Sequence, residues 1–188
     1  MGQEFPHIPT KQIEFIRKQK LFFVGTAGDH DTRVNISPKG MDSLRVLNPN
    51  RVIWLNTTGS GNETAAHVLD NPRMTVMFCA FDGAPLILRL YGTARAIHPR
   101  DDEWADLHAR FPTLPGARQI FDLTVDLVKT SCGMAVPHFG YQKDRTLLSD
   151  WATKIGPDGL HDYWTKKNQV SMDGKPTRIF GTEESAEA

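Results

Sequence analysis

Small polar side chains, glycines and a few cations are concentrated in three short segments of the sequence, 33–40, 57–64 and 88–92. Short hydroxyl and amide groups can hydrogen-bond to a phosphate, glycines let the backbone approach it closely, and a cation balances its charge. The pattern therefore predicts a site for a phosphorylated ligand. The candidate ligand-binding side chains are Arg33, Asn35, Ser37, Lys39, Ser60, Asn62, Thr64 and Arg89.

The second segment leads into a predicted helix at 64–69, which the Asn-Pro pair at 71–72 ends. The N-terminus of a helix presents free amide groups and the positive end of the helix dipole, and both favour a bound anion. A plainer interpretation stays open, because Asn62 and Thr64 could simply cap this helix.

The other two segments also have plainer interpretations. Residues 37–40 could be a hairpin turn with a solvated lysine, and Arg89 could pair with a carboxylate on the surface of its strand. Trp54, in an apolar stretch nearby, is predicted to pack in the core or at its rim rather than to stack on a ligand.

The elements that position these segments are mainly strands. Apolar and β-branched runs bounded by Gly, Pro, Asn and Asp predict strands at 21–26, 32–37, 51–56, 74–79, 85–97 and 123–136. Apolar residues at three- and four-residue steps predict helices at 10–20, with Thr10 as the cap, at 144–155 and 157–168, and one that begins at Asp101 or Asp102. In strand 85–97 the even-numbered leucines share one face, while Arg89 and Tyr91 share the other, which can meet a ligand.

Composition narrows the class of protein. A chain of 188 residues with 22 basic and 22 acidic side chains has no global field to recruit nucleic acid or an anionic membrane. It carries two cysteines, no apolar leader and no membrane-spanning run, which predicts a reducing, cytoplasmic location. We expect a single domain over 1–180, followed by a disordered polar tail at 181–188.

Other kinds of catalytic site lack a sequence signal. The histidines show no metal-ligand spacing, so no metal site is expected. Cys79 is predicted to be a small buried residue, and Cys132 has no partner cysteine for redox cycling. The chain has no Gly-x-Ser-x-Gly elbow and no paired catalytic carboxylates of the kind hydrolases use.

The sequences RVNISPKG at 33–40, GNETA at 61–65 followed by NPR at 71–73, and LRLYG at 88–92 resemble the pyridoxamine 5'-phosphate oxidase-like family of flavin-binding split barrels. The resemblance implies a mainly β (α+β) fold, a six-stranded antiparallel split β-barrel with flanking helices. It also implies a homodimer that binds FMN in each of two clefts between the subunits. Many members carry Ser-x-Lys before the helix, where this chain has Asn62 and Thr64. The phosphate charge would then be met by Arg33, Lys39, Arg89 or the helix amides.

The resemblance implies an FMN-dependent oxidoreductase that acts on an unidentified small molecule, with NADH or NADPH as a candidate electron donor. Oxidation of vitamin B6 itself is not expected. True pyridoxamine phosphate oxidases carry a C-terminal tryptophan followed by Arg-Leu-x-x-Arg, whereas here Trp164 is followed by Lys166 and Lys167, either of which could meet an anionic substrate. Three alternatives stay open: a non-catalytic flavin-binding protein for storage, sensing or electron relay, a deazaflavin-dependent reductase, and a purely structural barrel. Some relatives bind haem, but the chain has no His motif for haem ligation.

Overall fold

The computed structural model describes residues 2–181, and over this range eight strands form an antiparallel sheet with four helices around it. The strands are β1 (Glu4–Phe5), β2 (Phe22–Thr26), β3 (Asn35–Lys39), β4 (Leu44–Asn48), β5 (Arg51–Thr57), β6 (Arg73–Cys79), β7 (Ile87–Ile97) and β8 (Ala117–Ser131). The helices are α1 (Thr10–Lys18), α2 (Glu63–Asp70), α3 (Trp104–His108) and α4 (Leu147–Lys167).

The strands follow the order β3-β2-β6-β7-β8-β5-β4, and β1 pairs with β8. Every pairing is antiparallel. β3 and β4 follow each other in the chain but end the sheet at opposite edges, so the sheet stays open between them. This open, all-antiparallel arrangement confirms the predicted mainly β fold, with eight strands in place of six.

Strand β5 shows how the sequence builds two apolar layers. Val52, Ile53, Trp54 and Leu55 are all buried in succession, because the two faces of the strand are both covered. Val52 and Trp54 pack in the larger apolar cluster with residues of α1 and α2, and Ile53 and Leu55 pack in a second cluster with Leu107 of α3. Trp54 stacks on Phe121 with ring centroids 4.5 Å apart, which confirms its predicted place in the core.

Strands β7 and β8 form the longest ladder. The predicted alternation of β7 is confirmed, since Leu88 and Leu90 are fully buried while Thr93 and Arg95 are exposed. The ladder is interrupted by a bulge at Tyr91 and Gly92. A Cβ at Gly92 would collide with the carbonyl oxygen of Thr124, so only glycine fits this crossing.

Several predicted boundaries were wrong. The strand predicted at 32–37 corresponds to β3, which runs from Asn35 to Lys39. Pro38 fits in it because β3 is an edge strand and one of its sides needs no ladder hydrogen bond. The strand predicted at 123–136 begins six residues earlier, at Ala117, because β5 supplies a partner over that stretch. The short strands β1 and β4 were not predicted; each is fixed by its neighbour, β8 or β5, rather than by its own composition.

The helices lie closer to their predicted positions than the strands do. Pro9 occupies the N-cap of α1, and Thr10 is its first residue and makes no cap. The two helices predicted at 144–155 and 157–168 join as α4 across a kink at Gly156, where φ is 69° just before Pro157. Among residues 2–181 there is no helix with the length and apolar character needed to cross a membrane. The tail predicted at 181–188 lies outside the described residues except for Gly181, and the single domain over 1–180 stays a prediction.

Candidate functional site

Strand β3 places three of the predicted site residues on one face. Asn35, Ser37 and Lys39 alternate with the exposed residues Ile36 and Pro38, as the two-residue period of a strand requires. The three side chains are half-buried and lie on the sheet face that also holds α2 and Trp54, since Asn35 contacts Thr64 and Lys39 lies over the Trp54 ring. A polar row of this kind, whose Ser37 hydroxyl has no partner among the described residues, is a candidate for contact with a ligand.

Helix α2 brings a fourth predicted residue to this row. The side-chain amide of Asn35 donates to the hydroxyl oxygen of Thr64 across 3.3 Å, and Thr64 itself is buried. The structure thus joins the first and second predicted segments.

Asn62 occupies the N-cap position of α2 but does not cap the helix with its side chain. Its amide oxygen accepts a 2.6 Å hydrogen bond from the side chain of Gln119, and its amide nitrogen donates to the carbonyl of Asn168 at 3.4 Å. The residue is buried, so it holds the loop in place instead of facing solvent. The plainer interpretation of Asn62 as a helix cap is therefore wrong.

Arg118, which the sequence analysis missed, is the centre of the polar contacts around this loop. Its guanidinium is only 3% exposed and donates to the Gly61 carbonyl at 3.2 Å and to the Asn168 side-chain oxygen at 2.7 Å. It also donates to the side-chain oxygen of Asn56 at 2.6 Å. All three acceptors are neutral. We use the name Arg118 cluster for Lys39, Asn56, Asn62, Arg118, Gln119 and Asn168.

Lys39 adds a second cation to the cluster. Its ammonium lies over the ring of Trp54, 5.4 Å from the centroid. Burial, and after it the positive charge of Arg118, lowers the pKa of Lys39 to about 8, and burial lowers the pKa of Arg118 to about 10. Within residues 2–181 neither cation forms an ion pair with a carboxylate. Two neighbouring cations without a counter-ion favour the arrival of an anion.

Several buried polar atoms near these cations have no hydrogen-bond partner among the described residues. They include the Ser37 hydroxyl, the Nε of Arg118 and the side-chain oxygen of Gln119. Buried polar groups normally have partners, so unpaired donors on two residues of the region indicate room for an external acceptor.

The other predicted site residues lie elsewhere. Arg33 is exposed and pairs with Asp173, while Ser60 is exposed at the tip of the loop. Arg89 donates to the hydroxyl of Ser131 at 3.0 Å and shares its strand face with Tyr91. Among the described residues it forms no ion pair, so the alternative interpretation that pairs it with a carboxylate is not confirmed. The structure therefore does not bring these three side chains to the Arg118 cluster within one chain.

The C-terminal segment 170–176 contacts both ends of α2. The Glu63 carboxylate, in the first turn of α2, accepts the backbone amide of Met172 at 3.1 Å. Asp173 accepts the backbone amide of Arg33 at 2.8 Å, and Lys175 lies 3.5 Å from the carboxylate of Asp70. The carboxylate of Glu63 thus lies at the helix terminus that the sequence suggested for a phosphate, and it is held there by the amide of Met172.

The opposite face of β3 and its neighbours is apolar and open. Val34 is 72% exposed and Ile36 68% exposed, and they border a groove of about 610 Å³. Phe23, Met77 and Tyr91 line the same groove. In the part of the chain described, no cluster of three or more His, Cys, Asp or Glu side chains could hold a metal ion, and Cys79 and Cys132 are free thiols, one buried and one exposed.

Comparison with known proteins found a matching family model and a similar protein. The family model described as pyridoxamine 5'-phosphate oxidase matches residues 8–132. The chain is 36% identical over 176 residues to the pyridoxamine 5'-phosphate oxidase family protein ustO of Aspergillus flavus, covering 85% of this chain and 71% of that protein.

Two solved structures are similar in fold at lower identity. HupZ of Group A Streptococcus has a TM-score of 0.52 at 21% identity, over 66% of this chain and 99% of that one. A Lactobacillus delbrueckii protein proposed to be a pyridoxamine 5'-phosphate oxidase has a TM-score of 0.51 at 20% identity, over 66% of this chain and 94% of that one. At these identities the likeness concerns the fold alone.

Proposed function

The chain belongs to the pyridoxamine 5'-phosphate oxidase family, and on that premise we propose that it is an FMN-dependent oxidoreductase acting on an unidentified small molecule. The observation that carries the proposal is the polar row of β3 together with Arg118. The two cations of this group, Lys39 and Arg118, have no carboxylate partner among the described residues. A flavoprotein family supplies a ligand with the complementary charge, because FMN ends in a phosphate.

The donor groups present fit this cofactor. Ser37 and Arg118 have buried polar atoms without partners, and Lys39 has an ammonium without an ion pair among residues 2–181. We propose that Asn35, Ser37, Lys39 and Thr64 contact FMN and that Asn62 fixes the loop beside it. Phosphate oxygens accept hydrogen bonds from hydroxyl, amide and cationic groups alike, so this set needs no further residue type.

Bound FMN would supply two-electron transfer, and the chain's own residues would supply binding and orientation. Thr58 illustrates the orienting part. Its hydroxyl accepts a hydrogen bond from the indole N–H of Trp164 at 2.8 Å and donates one to the Gly116 carbonyl at 2.8 Å. These two bonds hold the loop between β5 and α2 against α4 and the start of β8. Trp164 is thus engaged in holding the loop, and Lys166 and Lys167 next to it are exposed. This use of Trp164 supports a substrate other than vitamin B6.

We also propose a homodimer in which the apolar groove bordered by Val34 and Ile36 meets a second copy. Contiguous apolar groups at this exposure are typical of surfaces that another protein covers. Arg89 would then lie at the cleft between subunits. A cytoplasmic location is part of the same proposal, and it is supported by two cysteines that form no disulfide.

The first experiment is an absorption spectrum of the purified protein before and after addition of FMN, followed by anaerobic NADPH or NADH. We expect oxidised-flavin bands that bleach with the nicotinamide. A bound flavin that neither nucleotide reduces would support the non-catalytic flavin carrier instead. If FMN does not bind, the cofactor assignment is wrong, and a deazaflavin becomes the ligand to titrate next.

A further inference from the structure

We propose that the C-terminal hairpin, residues 170–176, is a gate at the Asn35 end of the proposed cofactor site, and that the ion pair of Asp173 with Arg33 is its latch. In its closed position the hairpin bridges the chain segments that lead to Asn35 and to Thr64. Opening would expose this end of the polar row. The part of the inference that concerns FMN rests on the proposed function, whereas the opening of the hairpin does not.

Buried, neutral hydrogen bonds fix the base of the hairpin. Asn168, which caps the C-terminus of α4, is fully buried, and its carbonyl oxygen accepts a hydrogen bond of 2.5 Å from the Thr177 hydroxyl. The backbone amide of Thr177, which is also buried, donates to the Gln169 carbonyl at 2.9 Å. Buried neutral hydrogen bonds are insensitive to salt, so the base should stay in place when charges at the tip are changed.

Charged groups attach the tip of the hairpin to the rest of the chain. The contacts are an ion pair of Asp173 with Arg33, a 3.1 Å hydrogen bond from the Met172 backbone amide to the carboxylate of Glu63, and an approach of Lys175 to within 3.5 Å of the Asp70 carboxylate. Asp173 has two donors, because its side chain, only 3% exposed, also accepts the backbone amide of Arg33 at 2.8 Å. Asp173 is therefore the residue on which the latch depends most.

Apolar packing contributes little to holding the hairpin closed. Val170 is 54% exposed and Met172 69% exposed, and Pro176 is exposed as well. The buried residue of the hairpin is Ser171, whose backbone amide donates to the Lys175 carbonyl within the hairpin itself at 2.8 Å. Elements with few buried apolar contacts open more readily than the fold as a whole, and salt weakens charged contacts at the surface. The hairpin can therefore lift at its tip while its base remains fixed.

The tip of the hairpin lies next to a defined part of the proposed site. Arg33 lies two residues before Asn35, and Glu63 lies directly before Thr64. Asn35 and Thr64 hydrogen-bond to each other at 3.3 Å. A tip that holds both Arg33 and Glu63 thus spans the two segments next to this contact. A ligand that reaches the polar row of β3 from the Asn35 end must pass the hairpin, and we assign its opening to this step.

Hydrogen exchange of the full chain, followed by NMR, tests the opening without any ligand. The amide of Met172 bonds to Glu63 and exchanges when the tip lifts, whereas the amide of Thr177 reports on the base. We expect Asp173→Asn to speed the exchange of Met172 about tenfold or more and to leave that of Thr177 within about twofold. Asp162→Asn, at an exposed position of α4, removes the same charge elsewhere and should change neither rate.

Two results of this experiment would overturn the proposal. If Met172 exchanges at the same rate in Asp173→Asn and in the wild type, the ion pair is not a latch. If Thr177 exchanges faster together with Met172, the whole segment detaches and the base is not fixed. In the wild type, added sodium chloride should also speed the exchange of Met172 relative to that of Thr177, because salt screens the contacts of the tip.

The rates of FMN binding and release test whether the opening admits a ligand. Asp173→Asn and Arg33→Gln break the same ion pair but shift the net charge in opposite directions. A gate predicts that both variants bind and release FMN about fivefold faster, with a dissociation constant that changes less than either rate, because both rates follow the open fraction. An effect of charge alone on anionic FMN would instead speed association in Asp173→Asn and slow it in Arg33→Gln, which would overturn the gate.

Faster release without faster association would show that the hairpin holds the ligand in place and does not gate it. If the wild type binds no FMN, the proposed function fails. The exchange of Met172 in the protein without ligand then still decides whether the hairpin opens at the latch, so the two failures are distinguishable.

Discussion

The side-chain nitrogen of Asn35 lies 3.3 Å from the hydroxyl oxygen of Thr64, and this contact ties the polar edge of β3 to the helix that follows the glycine-rich loop. Both residues were among those the sequence predicted. Their contact shows that residues 29 positions apart converge on one side of the sheet, where the Arg118 cluster also lies.

Thr64→Val tests this contact directly. The substitution keeps the shape of the side chain but removes the oxygen that accepts from Asn35, so the amide loses its fixed orientation. We expect FMN binding to weaken about fivefold, as for the loss of one neutral hydrogen bond. Isothermal titration with FMN is the measurement, and Thr64→Ser, which keeps the hydroxyl, should bind within about twofold of the wild type. Equal affinity in the valine and serine variants would remove the contact from the binding model.

Asn56→Asp gives Arg118 the counter-charge that it lacks. Because the Asn56 oxygen already lies 2.6 Å from the guanidinium, a carboxylate there forms an ion pair without moving either residue. We expect a higher melting temperature without ligand and FMN binding weakened about tenfold or more, since the new carboxylate competes with the phosphate. Asn48→Asp, at the exposed end of β4, adds the same charge away from the cluster and should change neither quantity. A gain of FMN affinity in Asn56→Asp would contradict the role given to Arg118.

The fold could be predicted from the sequence wherever a strand carries its own signal. β5 and β7 have apolar or alternating runs with clear ends, and the structure confirms both within two residues. β4 was missed because its run Leu44–Asn48 is only five residues long and leads directly into the turn at 48–50. Leu44, Val46 and Leu47 are ordinary strand residues, but the run is short, and its pairing with β5 fixes its position.

The polar row of β3 could be predicted from the sequence, whereas Arg118 could not. Asn35, Ser37 and Lys39 were found because small polar side chains and a cation lie close together in one segment of the sequence, which also resembles the flavin-binding family. Arg118 was missed because the start of β8 was read as a loop, where an arginine is usually solvated. Only the extension of β8 to Ala117 buries it. An arginine and a glutamine directly before the apolar pair at 120–121 were the available signal.

The pH dependence of anion binding follows from Lys39. Its pKa is lowered to about 8 by burial and by Arg118, and a bound anion raises it again because an opposite charge favours the ammonium. Below pH 8 both the free and bound protein carry the proton, so affinity is level there. Above it the free protein has lost a proton that the complex retains, and affinity should fall by at most about tenfold per pH unit.

FMN titrations between about pH 7 and 9.5 measure this effect, because the phosphate is already a dianion over that range. Lys39→Gln should give a flat profile at lower affinity, and Lys39→Arg a flat profile near the wild-type maximum. A wild-type affinity that stays constant across pH 8 would show that Lys39 does not take part in binding.

His98 predicts a loss of stability in acid. The side chain is 5% exposed, and burial, followed by the charge of Arg100, lowers its pKa to about 4, against an opposing effect of Asp101. The His98 ring therefore takes up a proton below about pH 6.5 in the unfolded chain, but only below about pH 4 in the folded chain. Since the unfolded state binds more protons in this window, the free energy of unfolding falls as the pH falls, by up to about 3 kcal/mol between these values.

Urea unfolding at a series of pH values between 7 and about 4 measures this loss, with carboxylates contributing mainly at the acid end. His98→Gln cannot take up the proton, so its free energy of unfolding should change less between pH 6.5 and 5 than that of the wild type. Glutamine can still accept the hydrogen bond that Arg100 makes to the ring nitrogen at 3.2 Å. His30→Gln, at an exposed histidine, is the control and should keep the wild-type slope. If His98→Gln and the wild type lose stability in parallel, protonation of another group causes the acid transition, because the substitution removes the proton uptake of His98.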